Sequence, residues 1–86
     1  MPTYYGKYRG VVTQNVDPDK RGRIKARVPA VLAEQESGWA LPCVPYRAGR
    51  LQQRDIPPPG TPVWIEFEGG DLDQPIWSGR LWMARD

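Results

Sequence analysis

Eighty-six residues leave room for one hydrophobic core, and a chain near this size buries only about 60% of its unfolded surface on folding. Lys+Arg 12 against Asp+Glu 10 gives a net charge of +2, and 40% apolar with 26% charged residues is the balance of a folded chain, not a disordered one. There is no histidine and a single cysteine, Cys43, which excludes an internal disulfide framework, a cysteine-based zinc site and hydrolases built on a histidine base.

No apolar run is long enough for a transmembrane helix. The start, Met1-Pro2-Thr3-Tyr4, lacks a basic region followed by an apolar stretch, so no signal peptide is expected and the chain reads as made in the cytoplasm. Charge is unevenly spread. Residues 1–30 carry seven basic side chains against Asp17 and Asp19, while residues 61–86 carry Arg80 and Arg85 against five acidic ones. Two readings stand: ordinary solvated strand faces, or a polar subunit whose basic side meets the acidic side of a neighbour.

In chain order, Tyr8, Gly10 and Val12 alternate with Lys7, Arg9, Val11 and Thr13, the period of a half-buried strand. The stretch Asn15 to Gly22 reads as a turn, with Pro18 presetting φ and Gly22 free for a left-handed position. Ile24, Ala26 and Val28 then alternate inward against Arg23, Lys25 and Arg27, so the first two strands form a hairpin. Val31 to Ser37 holds one helical turn at most. Trp39 to Val44 is a short strand, and Pro42, lacking an N–H, puts it at an edge or an irregularity. From Pro45 to Pro62 the pattern breaks, through a basic stretch and then Pro57-Pro58-Pro59-Gly60, which excludes helix.

Val63, Ile65 and Phe67 alternate with Trp64, Glu66 and Glu68 in a further strand, and Gly69 to Pro75 supplies a turn. The last strand, Ile76 to Met83, is apolar on both parities, so its inward face is unassigned. Five short strands, almost no helix and bendable glycines at Gly10 and Gly79 predict an all-β chain. The expected architecture is a small five-stranded OB-fold barrel, with an SH3-like barrel as the alternative.

Several segments also resemble one family. They are Tyr5 to Val12, Asn15 to Pro18, Gly22 to Pro29, Ser37 to Ala40, Pro57 to Gly60, Val63 to Asp71 and Pro75 to Gly79. In order and spacing these are similar to the OB-fold domain of contractile-tail spike proteins, namely phage baseplate assembly protein V and the type VI secretion valine–glycine-repeat spike family. The resemblance implies a structural, non-enzymatic subunit at the baseplate centre, assembled as a homotrimer on the tail axis. Its implied partners are a baseplate hub protein and a separate spike-tip protein.

The resemblance covers residues 1–86 as a single OB-fold domain. Larger members continue into a β-helix needle or carry a lysozyme-type insertion; neither is present in this sequence, so membrane insertion and wall hydrolysis are not carried over. The resemblance leaves open a phage tail, a secretion system or an extracellular injection particle.

Candidate site residues follow. Trp64 lies opposite Val63, Ile65 and Phe67, so a partner is expected to cover it. Arg47, Arg50 and Arg54 occupy a segment that is usually glycine-rich and apolar in the family, and either face solvent or meet an acidic partner. Arg23, Lys25 and Arg27, with aromatics nearby, define the rival reading of a single-stranded nucleic-acid-binding OB module. A net +2 makes nucleic acid the weaker partner. The pairs Glu34/Glu36, Glu66/Glu68 and Asp71/Asp73 have carboxylate spacing without a second domain to form a cleft, so no catalytic residue is assigned. Nor is a metal or cofactor: the alternating calcium-loop pattern is missing from Glu68 to Asp73. Cys43, between Leu41 and Val44, is expected to be a small core residue.

Overall fold

A computed structural model describes residues 2–82. Met83, the expected end of the last strand, and the charges of Arg85 and Asp86 lie outside them. The elements run β1 (Tyr8–Gln14), β2 (Lys25–Arg27), a one-turn α1 (Pro29–Leu32), β3 (Leu41–Pro42), β4 (Pro62–Phe67) and β5 (Pro75–Arg80). Single 3-10 turns occupy Tyr46–Ala48, Gln53–Asp55 and Glu68–Gly70.

The strands form one curled sheet in the order β2-β1-β4-β5-β3. Its two outer strands meet: Ile24 and Ala40 exchange both backbone hydrogen bonds, at 3.2 and 2.7 Å. A ring closed in this order, with β3 parallel to β5 and the other pairs antiparallel, is the OB-fold and not the SH3-like alternative. Pro42 has no N–H, and β3 is cut to two residues there. The buried Ser37 extends the seam: its N–H donates to the Ala26 carbonyl at 2.8 Å, and the Ala26 N–H donates to its Oγ at 3.1 Å.

Closing five short strands demands sharp bends, and two irregularities supply them. Thr13 is an extra residue in β1, between the pairs Val12↔Ala26 and Gln14↔Lys25. In β5, two residues, Ser78 and Gly79, oppose Trp64 between Val63↔Arg80 and Ile65↔Trp77. Gly79 takes φ 110°, which strains any residue with a Cβ. Gly10 serves packing instead. A Cβ there would lie 2.8 Å from Ile65 Cγ1 and 3.2 Å from the Arg27 carbonyl oxygen, so glycine lets β1 cross the barrel closely.

The core follows the sequence periodicity. Val12, Ile24, Ala26, Val28, Val63, Ile65 and Phe67 are buried, each on the parity expected. For each large aliphatic among them, burial stabilises the fold by about 1.5–3 kcal/mol. Tyr8 tilts against Phe67 with ring centroids 5.8 Å apart. The inward face of β5 is settled by Pro75 and Trp77, both buried, while Ile76 and Ser78 are half-buried on the other side. The Trp77 indole N–H donates to the Gly22 carbonyl at 3.0 Å, satisfying a polar atom that the core would otherwise strand.

One expectation is corrected. Cys43 is exposed, not a core residue. Its N–H donates to the Trp77 carbonyl at 2.8 Å, which fixes the backbone inward and leaves the side chain outside.

Candidate functional site

The β1–β2 turn is built around Asp17, whose side chain is only 1% exposed. Its carboxylate accepts the backbone N–H groups of Asp19 and Arg21 at 2.9 Å and of Arg23 at 3.3 Å. It also takes the Arg23 guanidinium side-on, through Nε and Nη2, both at 2.8 Å. The guanidinium, followed by the backbone donors, holds the Asp17 carboxyl well below the usual carboxylate range, against the opposing effect of burial. The hydrogen bond with Asp17 likewise raises Arg23.

These bonds decide what the Arg23, Lys25 and Arg27 row can do. Arg23 is tied to Asp17 and also to Asp19 at 3.0 Å. Lys25 sits 4.0 Å from Glu36, whose carboxylate also receives Thr13 and Gln14. Trp39 is already occupied, with the Arg23 guanidinium 5.7 Å and the Lys25 ammonium 5.0 Å from its ring centre. A stacked base would have to displace these cations, and the row's charge is largely matched by carboxylates. Arg27 is exposed.

The outer face of the sheet is less polar. Trp64 lies opposite Arg9 in the β1–β4 register, and the Arg9 guanidinium stands 5.9 Å from the ring centre. This cover is partial. Trp64 is half-buried, and beside it Val11 is 41% exposed, with Ile76 and Pro62 half-buried on the same face. Lys7 closes one corner by reaching Glu66 at 3.2 Å and Ser78 at 3.3 Å.

The segment from Cys43 to Thr61 caps one end of the barrel. Leu51 packs against Gly22, Ile56 enters the core, and Gln53 donates to the Asn15 carbonyl at 2.9 Å. A reciprocal pair of bonds between Gln52 and Asp55 pins its second 3-10 turn. Arg47, Arg50 and Arg54, all carried on this segment, are exposed. They do not gather with Trp64 into one site: the arginines stand at a barrel end, the tryptophan on a barrel side.

One member of each acidic pair has a structural partner of its own. Glu36 and Glu66 are engaged as above, and Asp71 accepts the Asp73 N–H at 2.9 Å. Among the described residues no group of three or more Asp, Glu or Cys side chains is arranged to hold a metal ion. Asp17 is the residue that periodicity missed as an organising group. The Asp17-Pro18-Asp19 run within a turn was the available signal, since Asp side chains bond backbone N–H groups ahead of them.

A comparison with curated proteins returns no match. The model of a family described as the type VI secretion system/phage-baseplate injector OB domain matches residues 8–82. That span covers every strand of the closed barrel, and the chain belongs to this family of injector OB domains.

Proposed function

We propose that the chain works as a homotrimeric barrel on the axis of a contractile injection machine, joining the baseplate hub to a separate spike tip. Membership of the injector family gives the structural role and a phage-tail or secretion-system setting. The observation that carries the proposal is the outer sheet face, where Val11 is exposed, Trp64, Pro62 and Ile76 are half-buried, and Arg9 stands over the Trp64 ring. A tryptophan flanked by arginine in such a patch is the composition of an interface centre. The action is mechanical: three rigid barrels transmit load through non-covalent contacts.

Light scattering at near-physiological salt tests the trimer. A mass about three times that of the monomer is expected, as closed symmetry requires. A monomeric Trp64→Ala variant that keeps the wild-type melting profile supports the packed contact. A Trp64→Ala variant that folds and still forms the trimer, alone and with the hub, refutes it. Reversing Arg47, Arg50 and Arg54 to glutamate and finding hub assembly intact would show that these arginines are merely solvated.

A further inference from the structure

Strand register gives the barrel two chemically different ends. β1 and β4 are antiparallel, with Tyr8 opposite Ile65 and Val11 opposite Pro62. The turn after β1 therefore lies at the end where β4 begins, and the turn after β4 lies at the other. The segment from Cys43 to Thr61 leads into β4 and packs on the first turn, so it belongs to the first end.

That first end gathers Lys20, Arg21, Arg47, Arg50 and Arg54, all exposed. Among the described residues none of these five side chains has a hydrogen bond or ion pair, in contrast to Lys7, Arg23 and Lys25 on the barrel sides. From the same end projects Tyr46, fully exposed on its 3-10 turn. A bare tyrosine next to an unpaired arginine has the make-up of an interface anchor.

The opposite end offers a complement. The Tyr4 N–H donates to the Gly70 carbonyl at 3.0 Å, holding the N-terminal segment against the β4–β5 turn. Between them opens a pocket of about 510 Å³, with Pro2, Tyr4 and Leu72 among its walls and Asp71 and Asp73 at its acidic side. The exposed Glu68 adds to the charge. A pocket of this size accepts an aromatic ring together with the head of an arginine, and its apolar walls and carboxylates match that pair.

We propose that these ends dock on one another between copies of this chain: Tyr46 of one copy enters the Pro2–Tyr4–Leu72 pocket of the next, with Arg47 and its neighbours facing Asp71, Asp73 and Glu68. The contact is heterologous. It builds a closed ring if the rotation between neighbours returns to the start, and a stack if it does not. It deepens the self-assembling reading above but uses no residue of the Trp64 face, so the two fail separately.

The experiment is sedimentation equilibrium of the whole chain and three variants, with melting curves to confirm folding. The first variant is Tyr46→Ala. The second reverses one end (Arg47→Glu, Arg50→Glu, Arg54→Glu), and the third reverses the other (Glu68→Lys, Asp73→Lys), sparing the Asp71 turn. Tyr46→Ala is expected to weaken association by roughly tenfold or more. Each reversed variant alone should lose the end-to-end contact and sediment no heavier than the sheet-face trimer, and an equimolar mixture of the two should regain the heavier association. Raising salt from about 0.05 to about 0.5 M should weaken the wild-type contact.

Three outcomes overturn the proposal: wild type monomeric up to about 1 mM, association indifferent to Tyr46→Ala, or a mixture no heavier than its separate components. Association that survives all of these changes but is lost in Trp64→Ala would overturn end-to-end docking and leave the sheet-face trimer standing.

Discussion

Replacing Asp17 removes the acceptor that shapes the whole first turn. Five hydrogen bonds end on its carboxylate, three from backbone N–H groups and two from Arg23. Their separate values cannot simply be summed, because the groups form one network. The relevant comparison is a buried ion pair that loses one partner, which costs about 3–5 kcal/mol. Arg23 retains Asp19 and a 16% exposed side chain, so Asp17→Ala belongs at the lower end, about 3 kcal/mol. A domain of this length has roughly 4–13 kcal/mol in total, so that loss is a large share of it. The midpoint of thermal unfolding should fall by about 12–24 °C.

Acid gives an independent check. The folded carboxyl is depressed, so its contribution is complete above the ordinary value of 3.8 and is lost as pH falls below it toward the folded value. Urea unfolding from pH 7 down to about 2 should therefore show the gap between wild type and Asp17→Asn narrowing below about pH 4. A loss under about 1 kcal/mol for Asp17→Ala, or a gap independent of pH, would refute this account of the turn.

At Gly10, alanine would drive a methyl into Ile65 and the Arg27 carbonyl, and about 1–3 kcal/mol of stability should be lost in denaturant titration. A neutral Gly10→Ala would mean that β1 and β4 separate more easily than their packing implies. Cys43 should react fully with a thiol reagent in the native protein; protection until unfolding would contradict its exposure. Lys7→Ala breaks an ion pair whose side chains are 53% and 37% exposed, so chemical unfolding should register less than about 1 kcal/mol. A larger effect would mean that the Lys7–Glu66–Ser78 corner acts as a network.

Periodicity alone located β1, β2 and β4 because each has one face against the core and one toward solvent, so burial is written as alternation. It failed at β5, where Ile76 and Trp77 are both apolar. There the choice fell to Trp77, whose N–H finds the Gly22 carbonyl from across the barrel. It failed also at Cys43, whose apolar neighbours Leu41 and Val44 are themselves exposed. A two-residue strand is too short for its neighbours to report on its environment.

Charge tells the same story at longer range. Composition along the chain already separated a basic first third from an acidic last third. It could not distinguish cations that are matched from cations that are free, because Lys25 and Arg27 alternate along β2 like any solvated pair. Closure of the barrel made the difference. It brought Glu36 beside Lys25, and it folded the Cys43–Thr61 segment onto the first turn, so that Arg47, Arg50 and Arg54 joined Lys20 and Arg21 at one end. Alternation and turn residues are local properties, readable from neighbours in sequence. Which end a loop caps, and which charges meet, depends on strand order and register, and those exist only once residues far apart in the chain have paired.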